Sequence, residues 1–323
     1  MCGYPKSEDD FKLQLRIFIM AIPITTTGTL PEYFPQQFST NYTDLIQQTQ
    51  AELEDTVTPF LFDAKEKDIK FGAKLDWHDD AGGRMAPTVL NEYNLGKRWV
   101  KTYKGKVDPI GLDEWDEDLL AEMASPRSEI MKNMAAGYNR YKTRKIMDAI
   151  EGSAWEGLDG ADTAVALPSS HVIAHGSAGL TFTKIQDIIE LAAGADIMNG
   201  EMYACISPKD ERNLIANVDQ LINREKAIGV EKITNGSIVG TNWMGINWKR
   251  SNLLTVDTTT ASGHSIYNTL FWSKRCVMWN PGKQKLAVEV RADLDGAIQF
   301  RQSARMGGAR SQDAGVFVVK TYY

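Results

Sequence analysis

Cysteine is scarce in this chain: its 323 residues hold three, Cys2, Cys205 and Cys276, far apart and in no CxxC pair. That spacing encodes neither a disulfide framework nor a thiolate metal site, and it suits a reducing compartment. Histidine is nearly as rare, with His78, His171, His175 and His264. His171 and His175 have the spacing that puts two imidazoles on one helical face, but Pro168, Ser169, Ser170 and Gly176 flank them and no HExxH glutamate is present, so the segment reads as loop. Long apolar runs are missing too. The most hydrophobic stretch, Leu15 to Ile24, is broken by Arg16 and Pro23 and is about half the ~20 residues a membrane helix needs. It makes a poor secretion signal, since Glu8, Asp9 and Asp10 offset Lys6, Lys12 and Arg16. Residues 1–19 read as a peripheral arm, or as upstream translation ahead of Met20-Ala21-Ile22.

Nucleotide and acyl-transfer motifs are also lacking. Neither Asn-Gly-Ser-Ile-Val-Gly at 235–240 nor Met-Gly-Gly-Ala-Arg at 306–310 fits a phosphate loop, a dinucleotide turn or a nucleophile elbow. Carboxylates crowd between 108 and 118, but on a polar stretch with no apolar surroundings to set one apart as a general acid. Catalysis finds no foothold, and no cofactor is expected. The charge balance, 36 Lys+Arg against 42 Asp+Glu, excludes a protein drawn as a whole onto nucleic acid.

What is present is ordinary globular material: 43% hydrophobic and 24% charged residues, in a length that suggests about two compact units. Residues 23–41, rich in Thr, Pro and aromatics without a period, read as an extended arm. Tyr42, Leu45, Ile46, Leu53 and Val57 then recur at helical spacings. The clearest periodic signal is at 68–77, where Ile69, Phe71, Ala73, Leu75 and Trp77 alternate with Asp68, Lys70, Gly72, Lys74 and Asp76, the pattern of a half-buried antiparallel strand. A polar, glycine-bearing stretch, His78, Asp79, Asp80, Ala81, Gly82, Gly83 and Arg84, leads toward a second extended segment from Leu95 to Tyr103. Together they predict a long hairpin with a large tip.

The second arm carries Lys97, Arg98, Lys101, Lys104 and Lys106; just after it come Asp113, Glu114, Asp116, Glu117 and Asp118. These adjacent blocks of opposite sign read either as solvated surface or as a basic arm meeting an acidic patch on a neighbouring copy. Ser125-Pro126 opens a helix predicted to run to about Ser153, with Arg140, Lys142, Arg144 and Lys145 toward its C-terminal end. Thr183, with Gln186 three residues on, predicts a second helix facing inward through Ile185, Ile188, Ile189 and Ala192. Met202 to Ile206 reads as a buried strand, and Ser207-Pro208 starts a third helix with Leu214, Ile215, Val218, Leu221 and Ile222 inward. Short strands follow at Ile238-Val239, Trp243–Trp248, Asn268–Trp272, Arg275–Trp279, Leu286–Val290 and Gly315–Thr321. Trp243, Trp248, Trp272 and Trp279 within them read as core. The order hairpin, long helix, helices, strands indicates an α+β fold.

This arrangement resembles the tailed-bacteriophage major capsid proteins of the Hong Kong 97-like fold. The likeness extends from Met20 to Tyr323. It is carried by the arm, the long hairpin, Asp113-Glu114-Trp115-Asp116, Ser125-Pro126-Arg127-Ser128-Glu129, Asp148-Ala149-Ile150-Glu151-Gly152, Tyr203-Ala204-Cys205-Ile206-Ser207-Pro208, Gly236-Ser237-Ile238 and Gly307-Gly308-Ala309-Arg310. The resemblance implies an N-terminal arm with a short helix over 1–60 and an extended loop over 61–107. It implies a peripheral domain over 108–199 with a spine helix at 126–153, an axial domain over 200–285, and strands over 286–323 that return to the peripheral domain.

As function it implies a non-enzymatic subunit that self-assembles as hexamers and pentamers into an icosahedral shell around double-stranded DNA. Such a shell forms in the host cytoplasm and ends in the virion, with portal and scaffolding or decoration proteins as further partners and no membrane. The hairpin tip, His78, Asp79, Asp80, Gly82, Gly83 and Arg84, would reach a neighbour. Lys97, Arg98, Lys101 and Lys104 would pair across subunits with Asp113, Glu114, Asp116 and Glu117. Arg140, Lys142, Arg144 and Lys145 would face the genome. Two other readings stay open: a bacterial compartment shell of the encapsulin type, and an oligomeric enzyme with a pocket near His171, His175 and His264.

Overall fold

The computed structural model of the protein describes residues 51–72, 95–112, 126–197, 201–216, 237–259, 263–294 and 296–323. The arm up to residue 50, the hairpin tip His78–Arg84, the acidic residues Asp113, Glu114, Asp116 and Glu117, and the inward positions expected at Val218, Leu221 and Ile222 lie outside the described residues. In chain order the described strands are β1 (Thr58–Pro59), β2 (Glu66–Gly72), β3 (Leu95–Lys101), β4 (Tyr103–Lys106), β5 (Ile110–Leu112), β6 (Ala154–Glu156), β7 (Thr163–Val165) and β8 (Val172–Ile173). They continue with β9 (Met202–Ile206), β10 (Asn242–Trp243), β11 (Ile246–Arg250), β12 (Val256–Asp257), β13 (Ile266–Ser273), β14 (Val277–Val290), β15 (Ile298–Arg310) and β16 (Val316–Tyr322). The described helices are α1 (Pro126–Glu151), α2 (Phe182–Gly194) and α3 (Pro208–Ala216).

These strands make three sheets. One has the order β2-β3-β6-β7. A second runs β1-β14-β15-β4, with β5 continuing beside β15. The third runs β10-β11-β9-β13-β16-β8, with β12 beside β13. Strand alternation sorts the third sheet's side chains between two cores. Cys205, Leu270, Trp272, Val316 and Val318 join Ile146, Met147 and Ile150 of α1 on one face, together with Trp279, Ala304 and Met306 of the second sheet. Ala204, Ile206, Phe271, Phe317 and Val319 join Ile185, Ile188 and Ala192 of α2 and Leu214 of α3 on the other. The four strand tryptophans are core residues, each 5% exposed or less.

Several boundaries differ from the sequence reading, each for a local reason. Leu53 and Val57 are buried, but they flank a single 3-10 turn, Glu54–Thr56, in place of a helix end. The second hairpin arm stops at Lys101: the Thr102 N–H and hydroxyl both donate to the Lys65 carbonyl, at 2.9 Å each, and β4 then crosses into the sheet of β14 and β15. Lys104 and Lys106 therefore lie off the hairpin. α1 ends at Glu151, two residues early. The cap of α2 is Thr181 rather than Thr183; its backbone is extended and its hydroxyl accepts the Lys184 N–H. The third helix begins as expected, with Ser207 and Asp210 capping each other reciprocally at 3.0 and 3.1 Å. Ile238-Val239 is not a strand. Arg275 and Cys276 form a short turn ahead of β14, which joins the two strands expected at 275–279 and 286–290. The final strands do not return together: β15 pairs with β14, whereas β16 pairs with β13 and β8 in the third sheet.

One buried cation ties α2 to the loop before it and to β16. Lys184 is 8% exposed, and its Nζ lies 2.8 Å from the His175 carbonyl, 2.9 Å from those of Ala178 and Gly179, and 3.3 Å from that of Lys320. Burial lowers its pKa, against an opposing pull from Asp210. Lys184→Met keeps the packing and removes every donor, so urea denaturation should show a loss of about 2–4 kcal/mol from several orphaned carbonyls. A loss under about 0.5 kcal/mol would mean that water replaces the ammonium.

Candidate functional site

The hairpin β2–β3 is the feature most unlike an ordinary globular domain. Its register runs from Glu66↔Lys101 at the root to Gly72↔Leu95, where the described arms end. Alternation gives β3 two different faces. Val100 and Arg98 point inward: Val100 is fully buried beside Ile69 and Ala309, with Phe60, Phe62 and Met278 packed against them. Lys97, Trp99 and Lys101 point the other way. The root is thereby held to the body.

Arg98 does not belong to an inter-subunit set. It is 7% exposed, and its guanidinium grips both oxygens of Asp313 at 2.9 and 2.6 Å while Nε donates to Glu156 at 3.0 Å. A cation sharing a strand face with a core valine is buried by that geometry, and a buried cation needs partners in its own chain. Asp313 also accepts from Arg310 Nε at 3.0 Å. Arg310 is fully buried and donates to the carbonyls of Ile150, Gly152 and Val165. α1 has no basic residue in its last turn, so Arg310 of β15 supplies the positive charge its C-terminus favours. Sequence reasoning missed Asp313, Arg310 and Glu156. The available signal was the pairing of Arg98 with Val100 on one face.

The remaining basic residues divide. Lys97 donates to the Leu158 carbonyl at 2.6 Å and sits 4.4 Å from the Trp99 ring centre; Lys101 lies 3.4 Å from the ring of Trp155. Lys104 is exposed. On α1, Lys142 pairs with Glu54 at 2.9 Å and Lys145 with Asp148 at 2.7 Å, Arg140 is half-buried, and Arg144 is exposed. The three described histidines each stack on an aromatic ring of β16. His171 Nδ1 lies 3.0 Å from the Val316 carbonyl with its ring stacked on Phe317, while His175 and His264 both stack on Tyr322, at 5.3 and 4.5 Å. Among the described residues no group of three His, Cys, Asp or Glu side chains is placed to hold a metal ion. A cleft of about 600 Å³ lies beside the hairpin root, lined by Phe62, Thr102, Lys104, Asn280, Lys283 and Arg305 among others.

Comparison with known proteins accounts for this architecture. The chain is similar to the capsid subunit of Ralstonia phage GP4, at 11% identity and a TM-score of 0.63 over 93% of this chain and 97% of that one. It is similar to a structure of Mycobacterium phage Che8, at 12% identity and a TM-score of 0.62 over 90% and 98%. The head structure of Helicobacter pylori bacteriophage KHP40 matches at 9% identity and a TM-score of 0.63 over 93% and 99%. At such identities the likeness is one of fold, and the fold is Hong Kong 97-like. No curated protein sequence matches. A family-level sequence match to phage capsid proteins covers residues 30–322. The chain belongs to the phage capsid protein family, and its work is to form the shell.

Proposed function

We propose that the chain is the major capsid protein of a tailed phage with a double-stranded DNA genome. In this reading its copies close into hexamers and pentamers, and the hairpin tip, His78, Asp79, Asp80, Gly82, Gly83 and Arg84, lies over a neighbouring subunit. One observation carries the proposal: a hairpin whose root is anchored by Val100, Ile69 and the Arg98–Asp313 pair, and whose arms extend away paired to each other. An anchored arm of this kind transmits its position to whatever it touches. Many such contacts, each of ordinary strength, hold a closed shell through effective concentration. Of the basic arm, Lys104 remains a candidate for meeting the acidic run of a neighbour, and Arg140, Lys142, Arg144 and Lys145 for facing the genome. An acidic chain with few cations turned inward holds DNA weakly, as packaging and release require. Portal, scaffolding or decoration proteins would be separate chains, and assembly would take place in the host cytoplasm.

Purified protein should form rings or closed particles in electron micrographs. Deleting Asp79 to Arg84 should leave the monomer's melting temperature within about 3 °C while abolishing particles. A chain that stays monomeric at high concentration would overturn the proposal, and a deletion that assembles normally would remove the tip from it.

A further inference from the structure

The sheet of β14, β15 and β4 turns one face toward α1 and the other away. Gly105 marks the first: a Cβ there would come 2.6 Å from the Tyr141 ring, and Ala304 beside it lies in the core. The opposite face carries a ladder of like charges. Register sets Lys283, Arg305 and Lys104 side by side across the three strands, and Lys285, Ser303 and Lys106 side by side one step along. Arg301 follows, opposite Ala287. All six cations are exposed.

Strands are about 4.8 Å apart, so each row confines its charges within roughly 10 Å, and like charges directly opposite one another destabilise a sheet. Asp63 answers Lys283 at 2.8 Å, and Glu289 answers Arg301. Lys104, Lys106, Lys285 and Arg305 form no ion pair among the described residues. Nothing within the described fold repays this arrangement, which points to an anionic partner from outside.

We infer that this face docks the aspartate-rich segment 113–118 of a second copy of the chain; the inference rests on the shell reading above. The segment holds Asp113, Glu114, Asp116, Glu117 and Asp118, five carboxylates in six residues. Extended, six residues reach about 20 Å, enough to run the length of the ladder from Arg305 to Arg301. β4 and β5 step along β15 from Met306 to Ile298, so the chain leaves this sheet at Leu112 moving away from Arg305. Seven strand residues separate the two positions, roughly 23 Å, and the next described element, α1, packs on the opposite face. To lie along the ladder the chain's own segment would have to reverse direction after Leu112, whereas that of a second copy can approach the exposed face from outside. The acceptor thus lies on Lys104 together with Lys106, Lys283, Lys285 and Arg305, rather than on the hairpin arm, where Arg98 is buried and Lys97 and Lys101 rest on tryptophan rings.

The test is a charge swap in the full-length chain. Lys285→Glu with Arg305→Glu should raise the protein concentration needed for particle formation at least about tenfold at low salt, since such contacts are weakened by screening. Glu114→Lys with Glu117→Lys should do the same, and the four changes together should restore assembly to within about threefold. Melting by circular dichroism checks that each variant folds. In a background with Cys2→Ser, copies bearing Lys285→Cys mixed with copies bearing Glu117→Cys should form a disulfide-linked dimer. Four results would overturn the inference: unchanged assembly in either pair, no restoration in the combination, loss of co-purifying DNA alone, which would give the face to the genome, or a disulfide within single chains carrying both cysteines at high dilution. If wild-type protein forms no particles, it is the shell reading that fails; if wild type and all variants assemble alike, only this inference does.

Discussion

Replacing Asp313 with asparagine should lower the unfolding free energy by about 3–5 kcal/mol, the loss expected when one partner is taken from a buried charge cluster. Asp313 is the single anion between two buried guanidiniums: Arg98 binds both of its oxygens, and Arg310 binds one. The asparagine side chain keeps the size and one carbonyl acceptor but no charge. Arg98 then retains only Glu156, whose side chain is 41% exposed, and Arg310 retains only main-chain carbonyls. The same substitution should change how stability responds to acid. Burial alone would raise the Asp313 carboxyl, but hydrogen bonds from Arg98 and Arg310 outweigh it and hold the group below the usual range. An unfolded aspartate titrates near about 3.9. The stabilisation is therefore complete above roughly pH 4 and is lost as pH falls through the lower folded value. Urea denaturation from pH 6 downward should show wild type losing more stability below about pH 4 than Asp313→Asn loses. Parallel curves would mean that the carboxylate is not the linked group.

The long-range organisation was legible because it rests on local chemistry that leaves a clear trace. Period-two alternation marked β2, Ser207-Pro208 marked the start of α3, and the apolar run Met202–Ile206 marked β9 to the residue. β15 left a weaker trace: Gln302, Gly308 and Arg310 interrupt its inward-facing row, the glycine making room for Ala149 and Trp279 and the arginine reaching the end of α1. The ladder Lys283–Arg305–Lys104 left none, because it forms only when three segments spread over about two hundred residues of sequence pair. Arg98 shows the intermediate case. Its block of positive charge was visible in sequence, but its direction depended on which face of β3 Val100 claimed.

Gly307→Ala adds one carbon where the hairpin root meets the sheet, and it should cost about 3 kcal/mol or more. The string Gly307-Gly308-Ala309-Arg310 carries part of the family likeness, and its geometry supplies the reason. β15 is squeezed there from two sides. A Cβ on Gly307 would stand 2.0 Å from the Lys101 carbonyl oxygen and 2.9 Å from the Thr102 Cα, where the hairpin root turns into β4. A Cβ on Gly308 would stand 2.8 Å from the Met278 carbonyl oxygen, 2.9 Å from the Ala149 Cβ of α1 and 3.0 Å from the Trp279 ring. Side chains can rotate away from a new methyl, but the obstruction at Gly307 is backbone, tied on one side by the Thr102 N–H to the Lys65 carbonyl. Relief requires the hairpin root to move off the sheet, which also pulls Arg98 from Asp313. Gly111→Ala in β5 of the same sheet is the control, since its Cβ would meet nothing within 4 Å. Urea denaturation should therefore rank Gly111→Ala near wild type and Gly307→Ala far below it. Where Gly307→Ala still folds, its particles should be fewer than its stability alone accounts for, because the arm that reaches the neighbour no longer starts from a fixed root. Equal stability for the two variants would show that the root can shift without loss.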